Sequence, residues 1–447
     1  MGLMSEYKAK LVSAETAVRV VKNGDWVDYN FGLAQPAVCD KALALRKDEL
    51  RNVKVRGGLL LRPIEIVKAD PDREHFCYNS WHLSGLERKL SDQGLCHYIP
   101  MVYRNMPLYY RKSLEVDVAI LSVPPMDANG YFSFSLTNSA CKAITERAKV
   151  VILEINENLP VVAGGQHNCI HLSDVDFIVE SDNPALPVIA PAEVSAIDKK
   201  IAALIMQELS DGATIQLGVG ALPNAVGTMI AESGLKNLGI HTEMLVDAYM
   251  AMASAGKITN SHKNIDKGKG VFSFCAGSKE LYDWVGNNTA VATYPIDYTN
   301  DPHIMAANDN LITINNCVEV DILGQVTSET SGSRQISGTG GQLDFLTGGY
   351  MSNGGKSFIC FTSTYTDKRT GQVHSRVRTS LPENAVVTNP RTQAHYLVTE
   401  WGTADLAGRS TWERAERIIQ IAHPDFREEL IKGAGKLGIW CKTNKLF

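Results

Sequence analysis

"DGATIQLGVGALPNAV", residues 211–226, has a counterpart in "NGDWVDYNFGLAQPAV" at 23–38. Gly24 stands opposite Gly212, Gly32 opposite Gly220 and Val38 opposite Val226. Both pieces run from a strand-like segment through a glycine-bearing turn into a helical pattern. Each is preceded by a helical stretch opening with "VSA", at 12 and 194. Each is followed by another strand-like run, "ELRNVKVRGGLL" (49–60) and "GLKNLGIHTEML" (234–245). Aligning those runs sets Leu50 on Leu235, Asn52 on Asn237, Val55 on Ile240 and Gly58 on Glu243. The echo predicts a duplicated α/β domain whose second copy gained a carboxylate where the first has glycine.

Elsewhere, β-branched runs such as "VDVAILSV" (116–123) and "AKVVILEI" (148–155) alternate with amphipathic helical stretches such as "DKKIAALIMQEL" (198–209). That alternation predicts an α/β fold with mostly parallel sheets. Three prolines in "PALPVIAPAEV" (184–194) put the boundary there, giving domains at 1–188 and 189–447.

Composition narrows the function classes. The 447 residues are 44% hydrophobic and 21% charged, ordinary for a globular enzyme. A net charge of −5 argues against a nucleic-acid partner. Nine cysteines are scattered without a CxxC pair, the pattern of free thiols in a reducing compartment. No apolar run approaches the roughly 20 residues of a membrane helix. The opening "MGLMSEYKAK" lacks a signal-peptide core, and Glu6 stands where a myristoylation signal wants Ser or Thr. A cytoplasmic protein without membrane association is expected.

The turn "GVGALP" (218–223) follows "ATIQL" and opens the helical "NAVGTMIAES". Such glycines let a ligand approach the backbone, and a helix start offers unpaired N–H groups to a phosphate or a developing oxyanion. Glu243, 23 residues beyond Gly220, imitates the acidic residue of a dinucleotide fingerprint. Against that reading, Pro223 replaces the fingerprint's third glycine, so a dinucleotide-binding redox or regulatory module stands only as a remote alternative. "GGYMSNGGKS" (348–357) is out of register for a P-loop and precedes a strand-like run. His167, Cys169, His171 and Asp174 fit no zinc spacing, so no metal site is expected. A second glycine cluster, "SGTGGQLDF" (337–345), reads either as a plain turn or as another close approach to a ligand.

"QLGVGALPNAVG", "GIHTEM", "NIDKGKG", "PIDYTND", "GQVTSETSG" and "SGTGGQLDF" together resemble the acetate-dependent CoA-transferases of anaerobic bacteria. This group includes the butyryl-CoA:acetate and 4-hydroxybutyrate CoA-transferases and related acetyl-CoA hydrolases. The likeness runs from "YKAKLVSAETAV" to "HPDFREEL", and "EHFCYNSWHLSGLERK" (74–89) with "YYR" (109–111) is closer to the butyryl-CoA subgroup. The resemblance implies two similar open α/β domains, the first on the acyl-pocket side and the second carrying the catalytic glutamate. It implies that Glu243 is the nucleophile and that Gly218, Val219, Gly220, Ala221 and Leu222 bind CoA and form the oxyanion hole. Gly340 would contact CoA, and Gln216 would lie close to the reacting carboxylates.

By this resemblance the substrates are an acyl-CoA, butyryl-CoA favoured, and short-chain carboxylic acids, acetate among them. Coenzyme A is a substrate rather than a permanently bound cofactor, and a homo-oligomer, a dimer or larger, is expected. The mechanism is ping-pong through a glutamyl-CoA thioester. 4-Hydroxybutyrate CoA transfer and acetyl-CoA hydrolysis by the same glutamate remain the alternatives. "NSWHLSG", with Asn79, Trp81 and His82, is a candidate lid against water; for Trp81 a plain core aromatic is an equal reading.

Overall fold

The computed structural model describes residues 2–190 and 192–440; Pro191 and Cys441 therefore lie outside the described residues. Strands β1 (Trp26–Asp28), β2 (Val53–Gly57), β3 (Phe76–Ser80), β4 (His97–Tyr98), β5 (Val118–Val123), β6 (Val150–Ile155) and β7 (Phe177–Glu180) form one sheet. Its order is β4-β3-β2-β1-β5-β6-β7, and every pairing is parallel. All six residues of β5 are buried, as are five of the six of β6. Burial on both faces explains why those strands read as unbroken apolar runs.

The second sheet contains β8 (Thr214–Leu217), β9 (Gly239–Ile240), β10 (Leu311–Asn316), β11 (Lys356–Cys360), β12 (Tyr396–Thr399) and β13 (Gly402–Asp405). Its order is β9-β8-β10-β11-β12-β13; the β12–β13 hairpin is antiparallel and the rest parallel.

The echo in sequence is an echo in register. Val27 pairs with Val55 across β1 and β2, and Ile215 with Ile240 across β8 and β9, the same aligned positions. Gly24 N donates to Arg51 O and Gly212 N to Lys236 O, both at 3.0 Å. Asn52 and Asn237, also aligned, are both left-handed, at φ 56° and 58°. Asn tolerates that conformation better than most residues, which explains its recurrence. The helices before each copy are capped alike: Ser13 accepts from Thr16 N, and Ser195 accepts from Asp198 N.

Compactness divides the chain differently from a single cut near 188. One unit comprises Met1–Ala190, Glu243–Val246 and Gly270–Asn300; the other comprises Pro191–Thr242, Asp247–Lys269 and Asp301–Phe447. Glu243 thus belongs to the first unit. Its short strand Met244–Leu245 pairs in parallel with Phe274–Cys275.

Candidate active site

In the second unit, β8 ends in the 218–220 turn and the helix Ala221–Glu232 begins. Gly220 caps that helix at φ 123°, a conformation that side-chain-bearing residues rarely adopt, so a Cβ here is strained. Gly218 N already donates to Ile314 O at 2.9 Å. A ligand at this helix start would find its donors among the N–H groups of Val219, Gly220, Ala221 and Leu222; Pro223 has none. Val219 stands out at the tip, 55% exposed.

The second glycine cluster comes to the same place within this unit. Asn316 Nδ2 donates to Val219 O at 3.2 Å, and Gln342 Nε2 donates to Asn316 O. Gln342 opens the helix Gln342–Met351 directly after Gly340 and Gly341. Gly340 is left-handed, at φ 55°, and buried. Gln216 is held on β10 instead of pointing freely: its Oε1 accepts from Ile314 N and Asn315 Nδ2, both at 3.1 Å, and its Nε2 donates to Asn315 Oδ1 at 3.3 Å.

The first copy shows what an occupied helix start looks like. The buried Glu154 carboxylate accepts from the N–H groups of Ala37, Val38 and Cys39, at 2.7, 2.9 and 2.8 Å. Negative charge is favoured there by the helix dipole. Sheet register sets Cys360 at the matching position of the second copy, which therefore supplies no carboxylate of its own.

Asp28 is the first-copy counterpart of Gln216, and it too is engaged. It accepts from Arg56 Nη1 at 3.2 Å and from Tyr110 hydroxyl at 2.7 Å, while Trp81 Nε1 donates to the Tyr110 oxygen at 3.1 Å. Arg56 lies 4.3 Å from the Trp26 ring centre and is buried. Trp81 is a core aromatic of this cluster, 2% exposed. The other Asp28 oxygen accepts from Asn30 N at 2.9 Å, fixing a left-handed Asn30 (φ 54°) and hence the place of Phe31.

Glu243 sits in the first unit, half-buried, with Asn300 Nδ2 donating to its Oε2 at 2.7 Å. Its backbone oxygen accepts from Ser273 N and Phe274 N, at 3.0 and 3.1 Å. Three aromatic rings gather in the same unit: Phe31 packs 5.3 Å from both Tyr103 and Phe274, and Tyr103 lies 6.3 Å from Phe274. Burial, reinforced by the Glu243 charge, pushes the Tyr103 phenol well above its ordinary range, so it stays protonated. Its hydroxyl is 2.7 Å from Ser139 Oγ. His82, edge-on to Phe31 at 6.3 Å, is driven down to about 4 by burial and is neutral at pH 7. Glu243 is thus a half-buried carboxylate bonded by a neutral amide, in the unit that also gathers these rings.

Sequence reasoning singled out Glu243 but missed Asn300, Tyr103 and Ser273. "PIDYTND" (295–301) contains Asn300, and only its place among the stretches that carry the family resemblance signalled it. The lysine-rich "SHKNIDKGKG" (261–270) has the sequence of a solvated loop, yet Lys263 is 1% exposed. Its Nζ donates to Ile240 O at 3.1 Å and Lys269 O at 2.8 Å, tying down the strand that precedes Glu243. Burial lowers its pKa from the ordinary 10.5 to about 8. Between those values the unfolded chain binds more protons at Lys263 than the fold does, so this residue's contribution to stability rises with pH. In Lys263→Met that rise is absent. Urea unfolding from pH 8 to 10.5 is expected to show the wild type gaining on the variant as pH increases.

Family models decide the relationship. The N-terminal domain of the acetyl-CoA hydrolase/transferase family matches residues 1–190, and its C-terminal domain matches residues 277–434. The chain belongs to that family. It is 49% identical over 447 residues to the butyryl-CoA:acetate CoA-transferase of Anaerostipes caccae, covering 100% of both chains. It is 50% identical over 445 residues to a probable butyrate:acetyl-CoA coenzyme A-transferase of Syntrophomonas wolfei, covering 99% of both. The crystal structure of RipA from Yersinia pestis superposes with a TM-score of 0.88 at 33% identity, over 98% of this chain and 100% of that one. The family resemblance drawn from the motifs therefore holds, as does the fold of two α/β domains. Among the described residues no helix is long and apolar enough to cross a membrane.

Proposed function

We propose that this protein moves CoA from butyryl-CoA to acetate, using Glu243 as nucleophile and no permanently bound cofactor. The observation that carries the reading is Glu243 itself: a carboxylate oriented by Asn300 at 2.7 Å within the unit that gathers Phe31, Tyr103 and Phe274. Full-length likeness to proteins named for butyryl-CoA and acetate supports the substrates.

The chemistry needs no general base, because a glutamate is already ionised at pH 7. Glu243 attacks the butyryl thioester carbonyl and expels CoA thiolate, giving a mixed anhydride. The thiolate attacks the glutamyl carbonyl, releasing butyrate and leaving a glutamyl-CoA thioester. Acetate attacks that thioester to form the acetyl anhydride and thiolate again. The thiolate then takes the acetyl group, restoring the Glu243 carboxylate. Each tetrahedral step builds negative charge on oxygen, and one well-placed N–H donor to it is worth roughly 3–4 kcal/mol.

Purified protein with butyryl-CoA is expected to yield acetyl-CoA only when acetate is present, read by liquid chromatography. Equal release of free CoA with and without acetate would instead make the protein a hydrolase working through the same glutamate.

A further inference from the structure

We propose that Asn316, Gln342 and Asn389 are positioning residues for the glycine turn, a relay of amides that leaves the Gly220 and Leu222 N–H groups facing an anionic oxygen of acyl-CoA. The inference rests on the CoA-transfer reading above, with this turn as the part of the second unit that meets CoA.

The relay lies wholly within that unit. It starts where Val326 and Asn389 exchange backbone hydrogen bonds, each N–H donating to the other's carbonyl at 3.1 Å. Asn389, 0% exposed, then donates from Nδ2 to Gln342 Oε1 at 2.7 Å. With its oxygen engaged there, the Gln342 amide is left with Nε2 facing the other way. That atom donates to Asn316 O, and Asn316 Nδ2 donates to Val219 O at 3.2 Å.

The last bond sets a direction. The Val219–Gly220 peptide is trans and planar, so its C=O and its N–H point in opposite senses. Fixing Val219 O on Asn316 therefore fixes the Gly220 N–H away from Asn316. Gly220 is half-buried, and its N–H has no acceptor among the described residues.

The first copy shows what the turn does without a relay. There Ala34 N, aligned with Leu222, donates at 3.1 Å to Phe31 O, aligned with Val219. That turn closes on itself. Sheet register sets Ser122 at the position of Asn316, and among the described residues no side chain holds Phe31 O. In the second copy the Asn316 amide takes the carbonyl, and Leu222 N makes no bond to it. A side chain has replaced a backbone donor, so that donor is available to something outside the chain.

The test is steady-state kinetics of Asn316→Ala, Gln342→Met and the double variant, with butyryl-CoA varied at saturating acetate. The kcat/KM for butyryl-CoA is expected to fall roughly 10- to 100-fold in each single variant. Because the two residues act in series, the double variant should fall no further than the worse single one, whereas independent structural contributions would multiply. A loss carried by kcat identifies the oxygen as that of the reacting thioester, and a loss carried by KM identifies a CoA phosphate. Gln342→Glu keeps an oxygen for Asn389 and removes only the donor to Asn316 O. It should reproduce the loss, and it decides alone if Gln342→Met does not fold. Unchanged kcat/KM in the folded variants, or losses that multiply, overturns the relay. Gly220→Ala, strained at φ 123°, separates the relay from the turn: full activity there removes the turn from CoA binding. Wild-type protein making no acetyl-CoA would instead defeat the CoA-transfer reading before the variants were compared.

Discussion

Glu243→Ala is expected to reduce acetyl-CoA formation from butyryl-CoA and acetate to the uncatalysed background while the protein stays folded. The side chain is half-buried and fills no core, so its loss removes the reagent without opening a cavity. Circular dichroism and urea unfolding should match wild type closely. Mass spectrometry of wild-type protein incubated with butyryl-CoA alone should find CoA added to the peptide carrying residue 243, and the alanine variant should lack it. Glu243→Asp keeps the carboxylate but retracts it by about one methylene, and a misplacement of ~1 Å can cost ~100-fold in rate. Full activity in the alanine variant would remove Glu243 from the mechanism altogether.

The second large effect concerns stability. Arg56→Met should destabilise the protein by about 3–5 kcal/mol, because it strands the Asp28 carboxylate, 0% exposed, without its cation. Adding Asp28→Asn should recover part of that loss, since no uncompensated charge then remains. The single variant should also raise KM for butyryl-CoA, because Asp28 fixes Asn30 and so the ring of Phe31. Urea unfolding of the single and double variants gives the energies directly, and equal stability of Arg56→Met and wild type would show that the pair contributes nothing.

The duplication was legible because it is written in local constraints. Val27 with Val55 and Ile215 with Ile240 obey strand periodicity, and the aligned asparagines mark matching left-handed turns. The turn at 218–222 and the carboxylate at 243 stand out in the sequence for the same reason, each being a short motif with its own chemistry. What escaped depends on chain pieces that meet only in three dimensions. Asn300 reaches Glu243 across 57 residues, and Gln216 is bound by Asn315 across 99. Neither partner shows any periodicity that would announce it. Glu243 joins the first unit beside a two-residue strand, too short for any pattern to reveal. Trp81 could not be divided between lid and core without knowing that Tyr110 and Arg56 stand beside it.

The unit around Glu243 is stitched from three separated lengths of chain, ending with Gly270–Asn300. During synthesis, all seven strands of the first sheet are made by residue 180, yet Ser273, Phe274 and Asn300 are still unmade. At roughly 5–20 residues per second, that interval lasts on the order of ten seconds. By then β8 and β9 of the second sheet have also been made, so the first unit waits, incomplete, while the second sheet begins to form. Residues 1–190 alone lack Glu243 and Asn300, so the compact unit that holds this carboxylate is complete only once the chain has passed residue 300.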